Sequence, residues 1–244
     1  MDITTSTTKV AGDDGKQIDL FVASPAGAGK KPGLVVIMEV LGVNDHIKDV
    51  TQRFGREGYV AAAPNLYYRL DKHVTKELQE AFGMRASLYD GKIVEDVNRA
   101  IAYLKGRDDV NPAKIGIIGY CFGGRVSWLA ACQSPGLSAA SVYYGGSLVG
   151  GERNEKSPVE PVTLADRIKI PLQCVWGEND QSIPKEAREK IEAALKANKV
   201  NYEWHVYAGA GHAFFCDSRP SYHEASAKDV WPKTLGFFAK HLKG

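Results

Sequence analysis

The sequence has no excess of either charge, no long apolar run and few cysteines. Its 31 lysines and arginines nearly balance 29 aspartates and glutamates, and no long basic run upsets that balance. This argues against nucleic acid as a partner, because phosphate backbones require a cationic surface. The longest apolar stretches, such as Gly33 to Met38, fall far short of the roughly 20 residues needed to cross a bilayer. The opening Met1-Asp2-Ile3-Thr4-Thr5 has neither the basic nor the apolar region of a secretory signal. The expectation is a cytoplasmic protein with no membrane partner. Cys121, Cys132, Cys174 and Cys216 are widely scattered, with no C-x-x-C pair, so neither a disulfide framework nor a zinc site is indicated. Internal repeats and low-complexity segments are also lacking.

What remains is a globular composition, 44% hydrophobic and 25% charged over 244 residues, which fits a single domain spanning 1–244. The first ~25 residues read as a β-hairpin turning at Gly12-Asp13-Asp14-Gly15. Strand and helix patterns then alternate. Strands are expected at Leu34–Met38, Tyr59–Ala63, Ile115–Ile118, Ala139–Tyr143, Leu172–Trp176 and Tyr202–Tyr207. Helices are expected at Asn44–Glu57, about Thr75–Gly83, Ile93–Lys105, Phe122–Cys132, Lys185–Ala197 and about Tyr222–His241, with Glu152–Asp166 as a polar loop. Such alternation predicts an α/β class protein, a mostly parallel central sheet with helices on both faces. Ligands in such sheets bind at the carboxyl ends of the strands.

Gly119-Tyr120-Cys121-Phe122-Gly123-Gly124 follows one of those strands and opens a helix. This is the G-x-S-x-G nucleophile elbow with cysteine in the serine position. The sharp turn lifts the thiol above the sheet, at a helix N-terminus whose dipole favours a thiolate. Asp180 closes the segment Trp176-Gly177-Glu178-Asn179-Asp180, and His212 closes Gly209-Ala210-Gly211-His212, each just past a strand. Nucleophile, acid and histidine therefore come in the α/β-hydrolase order. His212 is the candidate base, and Asp180 the carboxylate that fixes its tautomer. His46, His73, His223 and His241 lie in polar helical stretches and read as solvated, and His205 reads as a structural strand residue.

Several pieces together carry a resemblance. Glu39-Val40-Leu41-Gly42-Val43-Asn44, Pro64-Asn65-Leu66-Tyr67, the elbow, Tyr143-Tyr144-Gly145 and Ala210-Gly211-His212 resemble the dienelactone hydrolases, or carboxymethylenebutenolidases, from about Ile18 to the last helix. The resemblance implies an α/β-hydrolase fold and a cysteine-nucleophile hydrolase with no cofactor or metal. It would open an enol lactone from catechol or chlorocatechol breakdown to maleylacetate through an acyl-thioester. It implies that Glu39 contacts the resting thiol and takes its proton when substrate arrives. The backbone N–H groups of Phe122 and Val40 are then expected to form the oxyanion hole.

Two positions depart from the family pattern. Cys216 stands four residues past His212, where the family carries an arginine that grips a substrate carboxylate, and Asn65 stands where the family commonly has aspartate. The expectation is a weaker preference for a carboxylate, with Arg219 or Arg85 as replacement clamps. The substrate is expected to be a small lactone or ester, and the assembly a monomer or small homo-oligomer. A general carboxylesterase or thioesterase, and a non-catalytic thiol sensor, remain alternative readings.

Overall fold

A computed structural model describes residues 1–13 and 15–244. Eight strands form one sheet in the order β1-β2-β4-β3-β5-β6-β7-β8. The strands are β1 (Ile3–Ala11), β2 (Gln17–Pro25), β3 (Lys31–Ile37), β4 (Val60–Pro64), β5 (Val110–Tyr120), β6 (Ala139–Tyr143), β7 (Leu172–Gly177) and β8 (Tyr202–Tyr207). β1 and β2 run antiparallel, and β3 to β8 run parallel. The expected hairpin forms with Ala11 opposite Gln17; of its turn, Asp14 lies outside the described residues. Every residue of β4, β6 and β7 is buried, as strands covered on both faces must be.

The helices are α1 (Asp45–Arg56), α2 (Leu78–Ala86), α3 (Asp90–Lys105), α4 (Phe122–Gln133), α5 (Lys185–Ala197) and α6 (Glu224–Phe238). The Asn44 side chain caps α1 by accepting from Ile47 N at 3.1 Å. α2 begins later than the sequence predicts, because Thr75 Oγ1 accepts from Glu77 N at 3.1 Å and holds a turn ahead of it. The polar loop is partly ordered as a 3₁₀ turn, Pro161–Arg167, started by its proline. Trp128 anchors that turn to α4 by donating to Pro161 O at 2.8 Å.

The hairpin is tied to α3 by charge. Asp96 is fully buried and accepts from Arg69 Nη2 at 3.0 Å and from the Tyr68 hydroxyl at 3.0 Å, while Arg69 also reaches Asp13 at 2.6 Å. Among the described residues no helix is long and apolar enough to cross a membrane.

Candidate active site

β5 ends at Tyr120 and α4 begins at Phe122, so Cys121 alone turns the chain. Its φ of 55° and ψ of −117° form a strained elbow, of a kind that costs about 1–3 kcal/mol. Cys121 N donates to Tyr143 O at 3.1 Å, and Cys121 O accepts from Gly124 N at 2.9 Å, which holds the turn. The glycines make room for it. A methyl group on Gly119 would strike the Gly123 carbonyl, and one on Gly123 would strike the Ile37 carbonyl.

Asp180 lies just past β7 and is buried. One of its oxygens pairs with His212 Nδ1 at 2.7 Å, and the other accepts from Ser182 N at 2.8 Å. The carboxylate assigns the proton to Nδ1 and leaves Nε2 free for the sulfur. Burial works against a charged His212, but hydrogen bonds to Asp180 and Cys121 outweigh it and raise the imidazole to about 10. The ring packs edge-on against Tyr144, 5.3 Å between centroids.

A cavity of about 290 Å³ opens over these groups, walled by Cys121, Phe122, Val40, His212, Ser182, Arg85, Arg125 and Arg219, with Leu78 and Phe82 at its rim. The Val40 peptide is braced from behind. Its carbonyl accepts from the Tyr67 hydroxyl at 2.8 Å, and Tyr67 N in turn donates to Asn65 Oδ1 at 3.0 Å. A smaller recess of about 130 Å³ shares Arg85, Arg125 and Ser147 with this wall. Among the described residues, no group of three or more His, Cys, Asp or Glu is placed to hold a metal ion.

Most of the chain aligns with one family of enzymes. The dienelactone hydrolase family model matches residues 18–242. The chain belongs to the dienelactone hydrolase family. It is 37% identical over 232 residues to a Synechocystis sp. protein provisionally named carboxymethylenebutenolidase, covering 93% of each. A Bradyrhizobium sp. protein, provisionally named 2-oxo-3-(5-oxofuran-2-ylidene)propanoate lactonase, is 28% identical over 233 residues, 96% of this chain and 93% of that one. The crystal structure of a provisionally named dienelactone hydrolase from Klebsiella pneumoniae superposes with a TM-score of 0.92 at 34% identity, over 98% of this chain and 100% of the other. The family is one of ester and lactone hydrolases on the α/β-hydrolase fold, and this chain is such a hydrolase.

Against that family pattern, the structure corrects two expectations. Cys216 does not face the cavity. It is 1% exposed, its sulfur is 3.3 Å from Ser218 Oγ, and burial pushes its thiol up. The reason is a run of tight turns, Cys216 N to Ala213 O at 3.0 Å and then Arg219 N to Cys216 O at 3.1 Å. These turns tuck Cys216 inward and carry Arg219 back into the wall. Arg219, the replacement clamp that the sequence offers, thus lines the cavity in place of residue 216. The second correction is His46, which is 6% exposed rather than solvated because α1 turns it toward Tyr120 and Phe215.

Glu39 follows β3 and is 0% exposed. Its Oε2 lies 3.0 Å from Arg219 Nη2, off hydrogen-bonding angles, so the contact is an ion pair. Arg85 makes no ion pair among the described residues, and burial, reinforced by the like charge of Arg125, lowers its pKa. Arg125 was not legible as a site residue. It holds Asp90 bidentately at 2.6 and 2.7 Å and is itself 3% exposed. The signal for it was an arginine in the first turns of an otherwise apolar helix.

Proposed function

We propose that this hydrolase opens a small lactone or activated ester bearing a carboxylate, through an acyl-thioester on Cys121. The observation that carries the reading is the cavity wall itself, which brings Cys121, His212 and the arginines Arg85 and Arg219 around one space. The Bradyrhizobium relative is named for a lactone that carries a propanoate, which is the same chemistry.

In the resting enzyme Arg219 neutralises Glu39. A substrate carboxylate competes for Arg219 and leaves Glu39 as a buried, uncompensated anion, which favours taking a proton. The proton comes from the Cys121 S–H, and the thiolate attacks the ester carbonyl. The N–H of Phe122, which as the first residue of α4 has no intrahelical acceptor, and the N–H of Val40 hold the developing oxyanion. The lactone C–O bond breaks to give the thioester. His212, oriented by Asp180, takes a proton from water, and hydroxide attacks the thioester. The tetrahedral adduct collapses with cleavage of its C–S bond, the imidazolium protonates the oxygen released when the lactone ring opened, and the Glu39 proton returns to the freed Cys121 thiolate.

The test is a comparison of the dienelactone acid with its neutral methyl ester. An Arg–carboxylate contact worth about 1.5–3 kcal/mol predicts a kcat/KM roughly 10–100-fold higher for the acid. Equal rates would overturn the carboxylate reading. A second reading, a broader carboxylesterase, draws on Leu78 and Phe82, which stay 51% and 57% exposed at the cavity rim. It predicts that longer apolar acyl esters outrun the small acid.

A further inference from the structure

The scheme above uses the reaction cavity and leaves the recess beside it without a task. That recess, of about 130 Å³, shares Arg85, Arg125 and Ser147 with the cavity wall, so the two spaces adjoin across one partition. A ligand seated at Cys121 has only to extend past Arg85 to enter it. The far side is a loop that carries Glu152, Arg153 and Lys156. The fold holds this loop in place. Asp90 N donates to Lys156 O at 2.8 Å, Val162 N donates to Leu148 O at 3.0 Å, and Trp128 Nε1 donates to Pro161 O at 2.8 Å.

The cations of the recess are only partly spent. Arg125 gives both Nη groups to Asp90, and its buried Nε has no partner among the described residues. Lys156 Nζ donates to Ala86 O at 3.3 Å, a neutral acceptor. Arg85 and Arg153 make no ion pair among the described residues. Two carboxylates stand against these cations. Glu160 Oε1 accepts from Gly150 N at 2.5 Å, which turns it onto its own loop, and Glu152 is exposed at the rim. A partly buried cation without a counter-charge is costly, and Arg85 is in that position between the two spaces. An anion entering the recess would meet two planar guanidinium groups with free N–H donors, the geometry that suits a carboxylate.

We propose that this recess is a second anion subsite of the active site, and that the enzyme takes lactones or esters bearing two carboxylates, one at Arg219 and the other between Arg85 and Arg153. The inference rests on the reading of the cavity in which Arg219 meets the first carboxylate, and it adds a substrate class to that reading. Arg85, which the mechanism leaves unused, stands in both walls and meets the second carboxylate from the partition. Arg153 completes the subsite from the loop, and Glu152 beside it weakens the hold on an anion by like charge.

The test is competitive inhibition of lactone hydrolysis, at constant ionic strength, by the straight-chain diacids from succinate to suberate and by the monoamide of each. At the chain length that spans both subsites, the diacid should bind about tenfold tighter than its monoamide, beyond the statistical gain of having two equivalent ends. Arg153→Ala should raise the Ki of that diacid nearly to that of the monoamide, and should leave the monoamide Ki and the kcat/KM of a monocarboxylate lactone close to wild type. Glu152→Gln removes the like charge and should tighten the diacid several-fold without moving the monoamide. Both residues are exposed, so neither change strains the core, and melting curves check the fold. The proposal is overturned if no diacid outbinds its monoamide beyond the statistical gain, if Arg153→Ala leaves the diacid as tight or weakens diacid and monoamide alike, or if Glu152→Gln leaves the diacid unchanged. Monoamide inhibition that survives Arg219→Ala intact would instead remove the reading beneath it.

Discussion

Arg219, seven residues past His212, sets its Nη2 3.0 Å from Oε2 of Glu39, a carboxylate with no solvent exposure. The pair joins substrate charge to nucleophile activation, because whatever draws Arg219 away leaves Glu39 in need of a proton.

Arg219→Ala should therefore lower the acid-over-ester ratio of kcat/KM by about 10–100-fold, because only the acid gains from the guanidinium while Glu39 loses its partner with either substrate. Cys216→Arg should bring no gain in acid selectivity. Cys216 is 1% exposed and does not line the cavity, so the longer side chain would be forced into a packed interior and would destabilise the fold. Both outcomes are read from paired kinetics on acid and ester.

His212 is raised to about 10 by Asp180 and Cys121 together, against the effect of burial. Cys121→Ala removes two of the contributions that raise it, so the His212 pKa should fall, as measured by an NMR titration of its ring. The sign matters for turnover. The coulombic pull of Cys121 exists only while its sulfur is a thiolate, so acylation removes it, lowers the imidazole's affinity for a proton and suits Nε2 to take one from water. A His212 pKa unchanged in Cys121→Ala would mean that the sulfur does not touch the imidazole.

Much of this was legible in the sequence, for identifiable reasons. The elbow, Asp180 and His212 each sit just past a strand with strong apolar patterning, so local pattern and position coincide. Arg219 could be named only as a possible clamp, because its place depends on successive turns between Ala213 and Tyr222. His46 was misjudged because charged neighbours such as Asp45 and Lys48 mark α1 as polar, yet its buried face includes His46 with Ile47 and Val50. Arg125 pairs with Asp90, a partner distant in sequence that no local pattern reveals.

Asp180→Asn and His212→Ala should each lower kcat by about 10³–10⁴-fold, and the double variant should lose little more, because the two act as one unit. Losses that multiply would show independent roles. The contact to watch is the 2.7 Å pair between Asp180 and His212 Nδ1.

Arg69→Ala tests the fold rather than the chemistry. It would leave Asp96, 0% exposed, as a buried carboxylate without its cation. Breaking such a pair costs about 3–5 kcal/mol, to be read from urea unfolding midpoints at constant m. A change under about 1 kcal/mol would mean that Asp96 is already neutral in the native protein.

The most direct test of the account is the covalent intermediate. His212→Ala keeps the nucleophile but removes the base for deacylation, so mixing it with a reactive lactone should build up an acyl-enzyme. Intact-protein mass spectrometry should show one added acyl mass, peptide mapping should place it on Cys121, and Cys121→Ala should neither acylate nor turn over. An adduct on another residue, or substantial hydrolysis by Cys121→Ala, would contradict the account.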